Sequence, residues 1–301
     1  MGEFMNPKAL VTGATGYIGT KLCQRLLADG WQVDVLVRET GRPLAQTLVS
    51  KVTVHSYDGS TQSVMDAVAA AKPTVVFHLA SLFIAEHRSE QVADLINSNL
   101  LFGTQLVEAC ARTGVKRFVN TGTAWQHYNN EDYNPVCLYA ATKQAFEALL
   151  EYYVQACDIK VITLKLFDTY GPEDPRPKLF NFLEKASASG VALNMSKGEQ
   201  LIDLVHIDDV ITAFMIAAHR LLRGKVVQHE RYAVSSGQPL ALRMLVKIYI
   251  EVTKKNVQVN WNNRPYRDRE VMVTWNKNTS LPDWIPNLDL SAGLLSLLQK
   301  A

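Results

Sequence analysis

The fold is decided by the stretch Thr12-Gly13-Ala14-Thr15-Gly16-Tyr17-Ile18-Gly19, which follows a short apolar run at 9–11. Gly13 permits a tight turn, Gly16 lets the backbone approach a pyrophosphate, and Gly19 allows close packing of helix on strand. The N-terminus of the helix that follows then faces the phosphate charge. No Gly-Lys-Ser/Thr follows, which excludes a Walker phosphate loop. The stretch predicts a dinucleotide site built by Gly13, Thr15, Gly16, Tyr17, Ile18 and Gly19.

The rest of the first half alternates short apolar runs with amphipathic segments. The apolar runs are 9–11, 33–37, 52–54, 74–79, 118–119 and 161–166, and the segments with helical periodicity are 18–29, 63–71, 91–113 and 139–157. Each of these segments is long enough for a crossover helix. The alternation predicts an α/β protein with a doubly wound parallel Rossmann sheet.

After Tyr170 the alternation of apolar runs and amphipathic segments stops, and the turn-rich stretch Gly171-Pro172-Glu173-Asp174-Pro175-Arg176-Pro177 follows. A smaller mixed α/β lobe is expected there. The predicted division is a dinucleotide-binding Rossmann domain at 5–168 plus 204–233 and a substrate-binding lobe at 169–203 plus 234–301. Met5 is the expected native start, with the four residues before it as an addition.

Composition narrows the possible partners. The formal net charge of +2 is spread without a run of like charges, so neither nucleic acid nor a membrane surface is expected to bind. No stretch reaches the roughly 18 to 20 apolar residues of a membrane span. The four cysteines lie far apart, without zinc-site spacing or the density of a disulfide scaffold. We therefore expect reduced thiols, no metal and a cytoplasmic location.

The end of the second predicted strand favours one cofactor. An NAD enzyme commonly has an acidic residue there for the ribose hydroxyls, but this strand ends in Val37 and Arg38. A guanidinium suits a 2′-phosphate through charge-assisted hydrogen bonds. NADP(H) is the predicted cofactor. A solvated arginine with no ligand is the alternative.

Tyr139 and Lys143 stand four residues apart on a predicted helix, so they share one face. An ammonium near a phenol favours the phenolate, so we expect Lys143 to lower the pKa of Tyr139 and make it a usable acid or base. Thr123 lies at the end of the preceding strand, where its hydroxyl can reach the same substrate oxygen. These residues form the predicted catalytic set.

These motifs resemble the extended short-chain dehydrogenases/reductases that act on nucleotide-linked sugars. The similar segments are Thr12 to Gly19, Phe77 to Ala80, Asn99, Thr123, Tyr139 with Lys143, Leu166 to Pro172, Asp203 to Val210 and Trp284 to Pro286. By the resemblance, Tyr139 is the acid/base, Lys143 positions the nicotinamide ribose, and Thr123 binds the reacting oxygen. It also implies that the cofactor is contacted by Asp58, Leu79, Ala80, Ser81 and Asn99.

Departures from the family pattern indicate the reaction. Family dehydratases place an Asp-Glu pair directly after the threonine, where this chain has Ala124 and Trp125. An arginine that commonly precedes Asp203 in the family is replaced by Ile202. Segments 120–128 and 138–147 are similar to those of abequose and paratose synthases, which reduce a CDP-linked 4-keto-3,6-dideoxyhexose for bacterial surface polysaccharide. The substrate contacts that this resemblance implies are Trp125, Gln126, His127, Asp168, Lys178 and Arg267.

Two other functions fit parts of the pattern. A nucleotide-sugar epimerase with tightly bound NAD would have the same threonine, tyrosine and lysine. A non-catalytic NADP-binding regulator would need only the glycine loop. The family resemblance also implies a homodimer through paired helices, for which the apolar residues of the catalytic helix are candidates: Phe146, Leu149, Leu150 and Tyr153. The alternative role for these side chains is the core.

Overall fold

A computed structural model describes residues 6–298, and the expected start at Met5 lies outside them. The strands are β1 (Lys8–Thr12), β2 (Gln32–Arg38), β3 (Thr53–Tyr57), β4 (Val75–His78), β5 (Arg117–Thr123), β6 (Lys160–Leu166), β7 (Asp168–Tyr170), β8 (Leu193–Asn194), β9 (Leu201–Ile202), β10 (Leu204–His206), β11 (His229–Val234), β12 (Leu240–Ala241) and β13 (Val259–Asn260). The helices are α1 (Tyr17–Ala28), α2 (Thr61–Ala71), α3 (Val92–Ile96), α4 (Phe102–Thr113), α5 (Leu138–Cys157), α6 (Leu179–Ser189), α7 (Ile207–Leu222), α8 (Leu242–Thr253) and α9 (Leu290–Ser296).

Seven strands form the main sheet in the order β11-β6-β5-β4-β1-β2-β3. β1 pairs in parallel with β2 on one side and with β4 on the other, so the strand order reverses at β1. β2 pairs in parallel with β3, and β4 with β5. In such a sheet, ligands bind at the carboxyl ends of the strands beside the reversal. The predicted doubly wound sheet is confirmed.

The helices cover the sheet with apolar side chains because each has one buried face. α2, α4 and α5 share a core with the sheet, built around side chains such as Leu10, Phe118, Phe146 and Leu150. α5 ends at Asp158, which adopts the left-handed conformation with φ 54°. Among residues 6–298, no helix is long and apolar enough to cross a membrane.

The sequence pattern located most elements and missed two features. The segment predicted as one helix at 91–113 is interrupted, because a π-helical turn, Asn97–Leu101, separates α3 from α4. The edge strand β11 was not predicted. Its first four residues are partly or fully exposed and only its last two are buried, so this short, charged stretch has a weak hydropathy signal.

Backbone contacts divide the chain into two units. Within the described residues, unit 1 comprises 6–123, 137–165 and 211–232, and unit 2 comprises 124–136, 166–210 and 233–298. The predicted domain boundaries place 124–136, 166–168, 204–210 and residue 233 with the first domain, whereas the contacts group them with unit 2. The assignment of cofactor and sugar to separate domains stays a prediction.

Unit 2 has its own small core and three two-stranded sheets. β10 pairs in parallel with β7, β12 antiparallel with β9, and β13 in parallel with β8. α6, α8 and α9 pack around Tyr249, Leu183 and Leu294. This is the expected smaller mixed α/β lobe.

Candidate active site

The loop after β1 approaches the loop after β4 so closely that only glycine fits. Gly13 has φ +75°, and a Cβ at this position would lie 2.7 Å from the backbone nitrogen of Ala80. A Cβ on Gly19 would collide with the carbonyl of Gly13. The predicted glycine loop therefore lies at the strand reversal, against Leu79 and Ala80.

The N-terminus of α1 suits an anionic group. Its N-cap is Gly16, in an extended conformation, and neither a side-chain cap nor an acidic residue in the first turn competes for the backbone N–H groups. Such a helix end binds phosphate through these donors and the helix dipole. Thr15 and Ile18 are partly exposed, whereas Tyr17 is buried. The cradle fits the pyrophosphate of a dinucleotide.

Thr12 and His78 hold the two loops together. The Thr12 hydroxyl oxygen accepts a 3.2 Å hydrogen bond from the Ala80 amide and lies 2.9 Å from His78 Nδ1. Leu79 donates its amide to the Thr12 carbonyl at 3.3 Å. Burial, together with the positive charge of Lys143, lowers the pKa of His78 to about 3, so its imidazole is neutral. His78 is a hydrogen-bonded structural histidine.

The strand ends beside this loop place Arg38 and Asp58. Arg38 donates from Nε to the Tyr57 hydroxyl at 3.0 Å and from Nη2 to the Ser98 hydroxyl at 2.6 Å. These two bonds fix the orientation of the guanidinium, which has further N–H groups that they do not use. Hydrogen bonds from the Ser60 amide and from neighbouring serine hydroxyls lower the pKa of Asp58 to about 2. Asp58 also organises the start of α2.

Asn99 is buried inside the π-helical turn. Its side-chain oxygen accepts from the Leu82 amide at 2.7 Å, and its nitrogen donates to the Leu82 carbonyl at 3.0 Å and to the Thr142 hydroxyl at 3.1 Å. A π-turn re-aims a side chain that a regular helix would place elsewhere. Asn99 thus connects the loop after β4 to α5, while its predicted contact with the cofactor stays a prediction.

Unit 1 supplies Thr123 from the end of β5 and Tyr139 and Lys143 from α5. Thr123 is buried, and the Lys143 Nζ lies 5.9 Å from the centre of the Tyr139 ring. Phe83 packs edge-on against Tyr139 with ring centroids 5.0 Å apart. Ser81 hydrogen-bonds to the Tyr139 hydroxyl.

The expected lowering of the Tyr139 pKa is wrong for this structure. Burial raises the pKa of Tyr139 to about 12, and the Ser81 hydrogen bond opposes this only in part. Burial also lowers the pKa of Lys143 to about 8. Lys143 is buried and Tyr139 is partly buried, and the loss of hydration at each group outweighs their mutual attraction. At neutral pH, Tyr139 is a protonated phenol, which suits a proton donor.

Unit 2 contains the six residues predicted to contact the substrate. The Arg267 guanidinium lies 5.2 Å from the Trp125 ring centre, and Arg267 also donates to Glu270 at 2.8 Å. Gln126 and His127 are buried. The His127 ring stacks on Trp275 with centroids 3.8 Å apart. Trp125 and Arg267 are thus brought together, and Trp125 is the partly exposed member of the 125–127 triplet.

Two other predicted substrate residues form an ion pair with each other. Lys178 Nζ lies 3.0 Å from Asp168 Oδ1, and both side chains are partly exposed. Lys178 is the N-cap of α6. The Lys178 ammonium is therefore partly neutralised by Asp168.

The sequence prediction missed Arg269. Its guanidinium lies 4.3 Å from the Tyr128 ring centre and donates to the Asn134 side chain. Asn130 makes further hydrogen bonds to Asn276. These contacts join segment 124–136 to residues more than a hundred positions later, which no local pattern reveals.

Comparison with known proteins assigns the family. The model of the NAD dependent epimerase/dehydratase family matches residues 9–230. The chain belongs to this family. The predicted resemblance to extended short-chain dehydrogenases/reductases is confirmed, and the family implies a nicotinamide dinucleotide cofactor.

Individual family members are similar over most of this epimerase/dehydratase-family chain. The CDP-abequose synthase of Salmonella muenchen is 25% identical over 299 residues, covering 98% of this chain and 98% of the relative. The UDP-glucose 4-epimerase of Mycolicibacterium smegmatis is 30% identical over 256 residues, covering 79% and 80%. The crystal structure of the Thermus thermophilus UDP-glucose 4-epimerase with NAD has a TM-score of 0.79 over 97% of both chains, at 24% identity.

The role of the glycine loop in cofactor binding can be tested with a matched control. Gly13→Ala and Gly30→Ala both place alanine at positive φ, but a Cβ at Gly30 meets nothing within 4 Å. Both variants should lose thermal stability from backbone strain, and Gly13→Ala should lose more because its Cβ also meets the Ala80 backbone. Only Gly13→Ala should lose affinity for NADPH and NADH, by about tenfold or more. Calorimetric titration measures this, and equal affinities in the two variants would contradict the proposed cradle.

Proposed function

We propose that this family member is an NADPH-dependent reductase of the C4 ketone in a CDP-linked 4-keto-deoxyhexose. The observation that carries the proposal is the set of Thr123, Tyr139 and Lys143 in a chain where Ala124 and Trp125 follow the threonine. Side chains of alanine and tryptophan cannot act as the acid and base of a dehydration. Reduction of a ketone requires one hydride and one proton, and it does not require an acid–base pair directly after the threonine.

In this proposal, residues of unit 1 donate the proton and stabilise the charge that remains after its transfer. When bound, the reduced nicotinamide supplies the hydride to C4. Tyr139, with its pKa raised to about 12, donates its proton to the ketone oxygen and regains one from solvent. Thr123 holds the same oxygen by a hydrogen bond. Lys143 positions the ribose, and its positive charge favours the phenolate left after proton donation.

The CDP-linked substrate is supported by full-length similarity. The CDP-abequose synthase of Salmonella muenchen aligns over 98% of both chains. Because that alignment includes the residues of unit 2, we carry over a CDP-sugar substrate and a place in O-antigen and lipopolysaccharide synthesis. Trp125, Asp168, Lys178 and Arg267 are the proposed contacts to sugar and diphosphate, and Gln126 and His127 support them from buried positions.

An epimerase with tightly bound NAD is the second candidate. It is favoured by the 30% identity to the UDP-glucose 4-epimerase of Mycolicibacterium smegmatis. An epimerase returns the hydride to its substrate and retains its cofactor, whereas a reductase must exchange it. Native mass spectrometry of the purified protein separates the two, because stoichiometric NAD would favour the epimerase.

The expected assembly is a homodimer in the cytoplasm. The apolar side chains of α5 that the fold leaves exposed are Ala145, Ala148, Leu149, Tyr152 and Ala156. Their spacing places them on one stripe of the helix. Phe146, Leu150 and Tyr153 face the core instead.

Burial raises the pKa of the Cys23 and Cys110 thiols to about 12, which fits thiols kept reduced.

The first test of the function follows NADPH oxidation with a CDP-4-keto-3,6-dideoxyhexose, beside its dTDP and UDP counterparts. We expect turnover fastest with the CDP sugar. Tyr139→Phe should lower kcat about 100-fold to 10,000-fold with cofactor binding intact, since it removes the proton donor. Tyr152→Phe, on the exposed side of the same helix, is the control. Absence of oxidation above the enzyme-free rate would refute the reductase assignment.

The second test addresses the cofactor. Arg38→Ala should weaken NADPH binding about tenfold to hundredfold, because a charge-assisted contact to phosphate is lost, and leave NADH nearly unchanged. Arg25→Ala, which removes an exposed ion pair with Asp29, is the control. Equal losses for both cofactors would assign Arg38 a structural role only.

The third test addresses the dimer. A Leu149→Glu/Tyr152→Glu double variant should sediment as a monomer, because two carboxylates would have to be buried in the apolar stripe. Val191→Glu adds charge at an exposed apolar position of unit 2 and should leave the dimer intact. A wild-type monomer at micromolar concentration would refute the proposed dimer.

A further inference from the structure

Unit 1 buries a cluster of charged side chains between α5, β6 and β11. Glu147 of α5 is 1% exposed, and its Oε2 accepts from Arg231 Nε at 3.1 Å and lies 3.8 Å from Lys165 Nζ. The Lys165 side chain is 5% exposed. Ionised groups are rarely buried unless they are paired, because each loses its hydration. Arg231 and Lys165 are therefore the charged partners of the buried Glu147 side chain.

Glu147 lies one helical turn after Lys143, on the same face of α5. Lys143 is 2% exposed, and burial lowers its pKa whereas the charge of Glu147 raises it. The side chain on β4 near Lys143 is His78, which is neutral and supplies no countercharge. Tyr139, one turn earlier, is also neutral near pH 8 because burial raises its pKa to about 12. Glu147 is thus the negative charge that supports Lys143.

The outer end of the cluster is separate from Lys143. Glu151 accepts from Arg231 and lies 2.7 Å from His229 Nδ1, and the other ring nitrogen of His229 lies 2.8 Å from the Thr163 hydroxyl. Glu151 is partly exposed. Burial lowers the pKa of His229, so its imidazole is neutral at pH 8. Glu151 therefore lies on the same helix as Glu147 and contacts the same arginine, Arg231, but its side chain is on the solvent-facing side of the cluster.

We propose that Glu147 is a positioning residue for the active site: its buried carboxylate, held by Arg231 and Lys165, keeps Lys143 protonated where the ribose of the cofactor binds. The proposal rests on the proposed function for the role of Lys143. It assigns the cluster a task beyond stability, since neutral residues of similar volume pack a core at least as well as buried ions. Its consequence is that Glu147 sets the pH at which cofactor binding fails.

The test is the pH dependence of NADPH and NADH binding by fluorescence titration. The wild type should lose affinity as the pH rises through about 8, where Lys143 loses its proton. In Glu147→Gln the midpoint should fall by about one pH unit or more, because an opposite charge nearby is removed. Glu147→Asp should keep most of the wild-type midpoint. Glu151→Gln is the matched control and should not move it.

A second variant tests whether the shift in midpoint arises from misfolding or from the titration of Lys165. Glu147→Gln leaves the buried Lys165 without this carboxylate and leaves Arg231 with Glu151 alone, so circular dichroism must establish that the variant folds. Glu147→Gln/Lys165→Met replaces the buried pair by neutral residues, and its midpoint should fall as well. A midpoint unchanged in both variants, or moved equally by Glu151→Gln, would overturn the proposal. If the midpoints move but no keto sugar is reduced, the proposed function fails and the role of Glu147 stands.

Discussion

The structure of unit 1 depends on the contact between the loop after β1 and the loop after β4. Gly13 lies so close to Ala80 that no side chain fits, and Thr12 ties both loops to His78. The contact forms at the reversal of strand order, where the two loops leave the sheet toward different helices. It leaves the start of α1 open for a phosphate. It also places Ser81 beside the hydroxyl of Tyr139.

Burial controls the chemistry of α5. The helix places Tyr139, Lys143 and Glu147 one turn apart along a single face. The fold buries Lys143 and Glu147 and covers most of Tyr139. Desolvation then raises the pKa of the phenol and lowers that of the ammonium. The same sequence on an exposed helix would leave both groups near their ordinary values. The protonation state of the site is therefore a property of the packing.

Unit 2 is held by contacts between distant segments. Arg267 and Arg269 lie against the aromatic rings of Trp125 and Tyr128, and Trp275 stacks on His127. Cation–π contacts of this kind add to hydrogen bonds such as the one from Arg269 to Asn134. They fix the segment after Thr123, which contains Ala124 and Trp125. Segments 124–136 and 267–276 thus act as one structural element.

The sequence by itself determined the doubly wound sheet, the glycine loop and the pairing of Tyr139 with Lys143, because these follow from local periodicity and spacing. It did not reveal the π-turn at Asn99, the edge strand β11 or the arginine–aromatic pairs, since each depends on neighbours far along the chain. The predicted direction of the Tyr139 pKa shift was wrong because the spacing shows that Lys143 is near, but not how much hydration each group loses in the fold. Only the tertiary structure places Glu147 against Lys165 and Arg231, since it alone decides which charges leave water and which partners they meet.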